Sequence, residues 1–236
     1  MIKLMLLTLF LLASCSSIDK GEERISPDHK SYNIHGWTVL VGKSLISSNE
    51  SLLQEGLKEV EYQLFGISRI LGEKQLKEFK KVKIWIEENP VDGQPVNAAY
   101  HPGKDWLIEN GVNPLKVESV EVPGLETFIK WSREANTLIL LHELFHAYHH
   151  QVLSFDNQEI KSLWKKAVKS GIYENVLYFR GSRKKHYAAS NPQEYFAELS
   201  EAYLYVNDYY PFNRAELMTF DPEAYKLMKK IWGERK

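Results

Sequence analysis

Residues 138–146 read LILLHELFH, an apolar run that leads into two histidines and a glutamate. His142 and His146 are four residues apart, which in an α-helix is about one turn with a rise of about 6 Å. Both imidazoles then lie on one face and can bind one tetrahedral metal ion, for which zinc is the best match. Glu143 lies beside the first histidine, where its carboxylate can take a proton from an attacking water molecule.

The helix that carries this motif is predicted to be buried, because residues 138–141 are apolar on all its sides. Its histidines then need a partner, either a zinc ion or, as an alternative, carboxylates that pair with two core histidines. The pattern HExxHxxGxxH would supply a third ligand close by, but position 152 is Val and position 149 is His. We therefore expect His149 to pack or to support a ligand rather than to bind the metal.

A better source of a third ligand is residues 191–198, which read NPQEYFAE. Asn191 suits a helix N-cap and Pro192 the first helical position, so a helix begins here. Glu194 and Glu198 are then one turn apart on one face. Glu194 also fits a capping box, and Glu198 could be a solvated surface carboxylate. The surrounding aromatic and aliphatic residues indicate instead that much of this helix is buried.

HELFH followed by NPQEYFAE resembles the zinc metallopeptidase domain of anthrax toxin lethal factor and its relatives, in the gluzincin branch of the zincins. The resemblance covers about residues 130–210. It implies that Glu194 is the third zinc ligand, that Glu198 lies behind a ligand histidine, and that Tyr187 supports the reacting oxygen. Asn191 would help to orient the ligands. The implied activity is zinc-dependent hydrolysis of a peptide or protein, with Glu143 as the general base.

The N-terminal half does not resemble the toxin, so the likeness indicates a metallopeptidase and not a toxin. The alternative is a non-catalytic protein of the cell envelope that keeps a zincin fold as a binding module. Glu143 and Tyr187 would have no task in such a protein, which favours the enzyme.

The pattern of apolar residues predicts an α+β, zincin-like domain over residues 32–236, with a small mixed sheet first and site-bearing helices second. The strands are predicted at 34–41, 82–86 and 117–122, and a long helix from about Leu53 is ended by Gly72. Residues 88–115 are predicted to be loop, and further helices are expected at about 132–152, 157–169, 191–206 and 221–232. The alternating segment 117–122 is expected to be an edge strand that could pair with an extended peptide.

The N-terminus has the pattern of a bacterial lipoprotein signal peptide. Residues 1–14 contain one lysine and an apolar run of about ten residues, too short to span a bilayer as a helix. Residues 12–15 read LASC, which resembles a lipobox, so we expect cleavage before Cys15, a lipid on its thiol, and a polar tether over residues 15–31. A plain secretory signal or an apolar helix of the fold is the alternative. The prediction places the protein at the outer membrane or the outer face of the cytoplasmic membrane.

Amino-acid composition excludes several classes of function and of metal site. Thirty basic and 31 acidic residues among 236 give a net charge of −1, which argues against nucleic-acid binding through bulk basicity. Cys15 is the single cysteine, which excludes an intrachain disulfide and a cysteine-based zinc cluster. We expect a monomer that a lipid, rather than electrostatic attraction, holds at the membrane.

Overall fold

A five-stranded mixed sheet forms the N-terminal half of the fold in the computed structural model, which describes residues 26–90, 97–135 and 137–234. Its strands are β1 (His29–Ile34), β2 (Trp37–Gly42), β3 (Ile84–Ile86), β4 (Ala99–Tyr100) and β5 (Val120–Val122). They lie in the order β1-β2-β3-β5-β4, with β2, β3 and β5 parallel and the two outer strands antiparallel. A two-stranded ribbon, β6 (Val176–Leu177) and β7 (Arg183–Lys184), lies in the C-terminal half.

Helices surround this sheet and dominate the C-terminal half. They are α1 (Lys43–Ser48), α2 (Glu50–Ile70), α3 (Glu73–Phe79), α4 (Lys104–Glu109), α5 (Leu125–Ala135), α6 (Ile139–Tyr148), α7 (Gln158–Ser170), α8 (Pro192–Leu204), α9 (Arg214–Phe220) and α10 (Pro222–Trp232). A π-helical turn, His149–Leu153, continues α6, and a 3₁₀ turn, Tyr187–Ala189, precedes α8. The predicted α+β class, with a small mixed sheet first and helices second, is confirmed.

The helices that carry the candidate ligands are buried, because α6 packs against the sheet and α8 packs against α6. Val39, Ile84 and Val120 belong to the same core as Leu140, Leu144 and Phe145 of α6. Helix α8 packs on α6 and is buried without interruption from Tyr195 to Leu204. The two site-bearing helices therefore have little freedom to shift relative to one another.

Several predicted boundaries are wrong. The strand predicted at 34–41 is the second half of a hairpin, since His35 and Gly36 adopt positive φ angles of 50° and 89°, as a two-residue hairpin turn requires. Residues 29–31, predicted as the end of the tether, belong to β1. The helix predicted at 132–152 is two helices, α5 and α6, and the predicted loop 88–115 contains β4 and α4.

The predicted edge strand is also wrong. Within 117–122 only Val120–Val122 is strand, and it is buried between β3 and β4. The edge on this side of the sheet is β4, so a peptide could not pair with β5. Glu121 breaks the expected pattern as well, because its carboxylate is buried with Lys116 and His101 rather than exposed.

This buried charge group ties β4 to the sheet. Glu121 accepts hydrogen bonds from Lys116 and, at 2.6 Å, from His101 Nε2. Lys116 also pairs with Glu87 at 2.7 Å. Burial would raise the pKa of Glu121, but His101 and Lys116 lower it below its usual range, so the carboxylate is held ionised. Because His101 directly follows β4, the group fixes the position of this strand at the edge of the sheet.

The close approach of α2 and α5 gives a stability prediction. A Cβ at Gly56 would lie 2.5 Å from Leu125 Cδ1, and Leu125 is fully buried and cannot move away easily. Gly56→Ala is expected to lower the free energy of unfolding by about 1–3 kcal/mol. Gly66→Ala on the same helix meets only Leu138 at 3.4 Å and should raise it by about 0.5–1 kcal/mol. Urea denaturation of both variants checks this; a loss at Gly66 as large as at Gly56 would contradict it.

The predicted signal segment 1–14 and Cys15 lie outside the described residues. Within residues 26–90, 97–135 and 137–234, no helix combines the length and the apolar character needed to cross a membrane.

Candidate metal centre and active site

The three predicted ligands meet at one point between α6 and α8. His142 Nε2 lies 3.1 Å from His146 Nε2, and Glu194 Oε2 lies 3.2 Å from the first and 3.4 Å from the second. Ligands about 2.0–2.1 Å from a tetrahedral zinc ion are about 3.3–3.4 Å apart, so the three atoms form a triangle of the right size. The two nitrogens and the oxygen also form a donor set that zinc accepts with one position left open.

Asn191 places Glu194 in this triangle. The Asn191 side chain accepts a hydrogen bond of 2.8 Å from Glu194 N and caps α8, as predicted from the Asn-Pro pair. The capping-box alternative predicts that the Glu194 side chain turns back toward the start of the helix. Instead its carboxylate contacts the two histidines.

A second helix shows what the capping alternative looks like. Asn213 caps α9 in the same way, and the third helical residue there, Glu216, accepts a hydrogen bond of 2.7 Å from Phe212 N just before the cap. The same Asn-x-x-Glu spacing therefore closes a helix end in α9 and delivers a carboxylate to the histidines in α8.

Charge interactions hold this group together. Burial alone would lower the pKa of His142, but the carboxylates of Glu201 and Glu194 raise it well above its usual value. Burial would raise the pKa of Glu194, while hydrogen bonds from His142 and His146 lower it to about 2. Glu194 is therefore ionised at neutral pH, as a metal ligand must be.

The residue behind His142 is Glu201, and not Glu198 as the resemblance implied. His142 Nδ1 donates a hydrogen bond of 2.9 Å to Glu201 Oε2, which leaves Nε2 to face the other ligands. Glu198 is one turn earlier on α8, and its Oε2 lies 3.7 Å from His186 Nδ1. Glu194 and Glu201 are seven residues apart, two helical turns, so both point toward α6.

This contact predicts different effects for the two glutamates. Glu201→Gln is expected to weaken zinc binding by about 10- to 100-fold, because the hydrogen bond that orients His142 loses its charge. Glu198→Gln makes the same chemical change one turn away but removes no contact with a ligand, so its effect should be much smaller. Competition with a chromogenic zinc chelator measures both affinities; equal losses would show that the His142 contact is not what sets the affinity.

Glu143 is held by the edge strand. Its Oε2 accepts a hydrogen bond of 2.8 Å from Tyr100 N, on the side of β4 that faces away from β5. Glu143 lies outside the ligand triangle yet lines the same cavity as all three ligands. A carboxylate fixed beside the three candidate ligands but outside their triangle is suited to accept a proton.

Tyr187 lines this cavity too, which we call the metal cleft, about 460 Å³ in volume. Its side chain is half exposed, and it stands on the 3₁₀ turn just before α8. The charge of Glu194, followed by burial, raises its pKa, so its hydroxyl remains a hydrogen-bond donor at neutral pH. The structure thus brings together His142, Glu143, His146, Tyr187, Asn191 and Glu194.

The other histidines near the motif do not join the ligands. His149 is fully buried between Phe155 and Phe196, and neither ring nitrogen has a hydrogen-bond partner among the described residues. Burial lowers its pKa to about 3, so it is a neutral packing residue, in agreement with the prediction. His150 Nδ1 lies 2.9 Å from Tyr100 Oη.

Comparisons with known proteins add one structural likeness. No family model matches the chain, and no curated protein matches it. The structure is similar to that of the Pro-Pro endopeptidase PPEP-2 from Paenibacillus alvei, with 22% sequence identity and a TM-score of 0.43. The match covers 82% of this chain and 95% of that one.

Proposed function

We propose that this protein is a zinc-dependent metallopeptidase held at the bacterial cell envelope by a lipid on Cys15. The observation that carries the proposal is the triangle of His142 Nε2, His146 Nε2 and Glu194 Oε2, with sides of 3.1–3.4 Å, in one cleft with Glu143 and Tyr187. The resemblance of HELFH and NPQEYFAE to the zincins implies the same roles for these residues.

The side chains of this site have separate roles in peptide hydrolysis. A zinc ion in this site would supply a Lewis acid that polarises a carbonyl and makes water more acidic. Glu143, held by Tyr100 N, accepts the proton of the attacking water and passes it to the leaving amine. Tyr187 donates a hydrogen bond to the oxyanion that develops on the scissile carbonyl. Glu201 and Asn191 keep His142 and Glu194 in position.

The lipid anchor is supported by the sequence alone. The apolar run in residues 1–14, the LASC segment ending at Cys15 and the polar residues after it are the pattern on which this part of the proposal rests. Mass spectrometry of the full chain expressed in a bacterium tests it: we expect a mature chain that starts at Cys15 and carries acyl chains, and a Cys15→Ala chain without them.

The enzymatic part is tested with metal analysis and a peptide library. We expect about one zinc per chain, cleavage of peptides by the zinc-loaded protein, loss of cleavage with a chelator and recovery with zinc. Protein that holds no zinc after reconstitution at neutral pH would overturn the proposal. Zinc-loaded protein that binds peptides without cutting any would support the alternative, a non-catalytic binding module.

A further inference from the structure

A second cavity, about 360 Å³ in volume, lies next to the metal cleft and shares Ala98, His142 and Glu143 with it. We call it the acidic cavity. Its walls include the carboxylates of Glu198, Glu201 and Asp208, the amide of Asn97 and the side chains of Trp131, Ala135, Thr137 and Ile139. It therefore has acidic and apolar walls and opens beside the proposed general base.

Two residues of the cavity wall each carry an enclosed acceptor atom that has no donor among the described residues. Glu198 is 4% exposed, and its Oε2 is enclosed without a hydrogen bond. Asn97 Oδ1 is enclosed and unpaired in the same way. Buried polar atoms are nearly always paired, so unpaired acceptors on two residues of one cavity wall leave capacity for a bound group that donates hydrogen bonds.

The charges in the wall indicate that this group is a cation. Glu201 pairs with His142, whereas burial, followed by the charges of Asp208 and Glu201, raises the pKa of Glu198 well above its usual value. Burial, then the charge of Glu201, raises the pKa of Asp208 to about 7. A cation between these carboxylates would satisfy the open acceptors and relieve the repulsion.

We propose that the acidic cavity binds a basic side chain, lysine or arginine, of the peptide substrate. This rests on the proposed peptidase function. The cavity shares Glu143 with the metal cleft, so the basic residue lies next to the bond that is cleaved. Its aliphatic stem contacts Trp131 and Ile139, while its charged end reaches Glu198 and Asp208.

A second metal ion fits the cavity less well. His142, Glu198 and Glu201 each offer one atom, and these atoms lie within 4.8 Å of one another. However, His142 Nδ1 already donates to Glu201, and a metal could bind there only by displacing that proton and the orientation it gives to the first site. An organic cation needs no such change.

Binding measured without turnover tests the proposal. The probes are Nα-acetyl-arginine methylamide and its citrulline analogue, which has the same shape but no charge, titrated into zinc-loaded Glu143→Gln protein. We expect the arginine probe to bind at least about tenfold more tightly. Adding Asp208→Asn, or separately Glu198→Gln, should reduce this ratio toward one, whereas Asp105→Asn on the exposed surface of α4 should leave it intact.

Cleavage of a random peptide library by the wild-type protein separates the two proposals. A basic residue enriched at one fixed position beside the cut, and lost in Asp208→Asn, supports the acidic cavity. Cleavage with no basic preference, together with equal binding of both probes, overturns the cavity proposal and leaves the peptidase intact. Arginine-selective binding without any cleavage would overturn the peptidase alone. A second metal ion per chain that disappears in Glu198→Gln would show that the cavity binds a metal and not a basic side chain.

Discussion

Glu143→Gln is expected to lower kcat/KM for peptide cleavage by about a thousandfold, while the protein keeps its zinc. Glutamine has the same shape as glutamate and can still accept the hydrogen bond from Tyr100 N, so the edge strand stays in place. It cannot take a proton from the attacking water. Since Glu143 lies outside the ligand triangle, the zinc affinity should not fall.

The measurement combines steady-state kinetics on a cleaved peptide with metal analysis of the same sample. Glu73→Gln is the control, because it makes the same chemical change on the exposed surface of α3, 70 residues before Glu143. This variant should cleave the peptide like the wild type. Zinc loss in Glu143→Gln would show that Glu143 is a ligand. Near-normal cleavage with zinc bound would show that another group accepts the proton.

Sequence patterns could predict the centre of the site because its residues lie at fixed spacings on two helices. His142 and His146 are four residues apart, so they share a face of their helix wherever that helix lies in the fold. Asn191 and Pro192 fix where α8 begins, and hence the turn on which Glu194 lies. These relations are local, so they do not depend on how the two helices cross.

Glu201 was missed because its role depends on that crossing. Glu194, Glu198 and Glu201 lie on successive turns of α8, and the motif alone does not tell which turn meets the far side of His142. The spacing of seven residues between Glu194 and Glu201 was the available signal, since two full turns return to almost the same direction.

Strand β4 and its buried charge group were missed for a different reason. Two residues, Ala99 and Tyr100, are too few to show an alternating pattern, and they lie in a segment rich in Pro, Gly and Asn. Glu121 was taken for the exposed side of an edge strand because its partners, Lys116 and His101, are recognisable only once the sheet is assembled. Long-range pairing of this kind leaves no local trace in a single sequence.

Glu194→Gln is expected to weaken zinc binding by more than about a hundredfold, because it removes a ligand and not only the support of one. The weaker zinc binding also reduces the free energy of unfolding that zinc adds. At free zinc a hundredfold above the wild-type Kd, binding adds about 2.7 kcal/mol to the free energy of unfolding, but only about 0.4 kcal/mol when Kd is a hundredfold higher. For a chain of this size, 2.7 kcal/mol corresponds to a rise in Tm of about 5–10 °C.

Thermal unfolding with and without zinc measures this, with each protein compared with its own metal-free form, since Glu194 also pairs with His142 and His146. Glu216→Gln is the matched control: Glu216 follows its Asn cap at the same spacing but contacts Phe212 N instead of histidines. It should lower Tm slightly and leave the zinc-induced shift unchanged. If Glu194→Gln keeps the full shift, the triangle between α6 and α8 is two histidines paired with a carboxylate and not a metal centre.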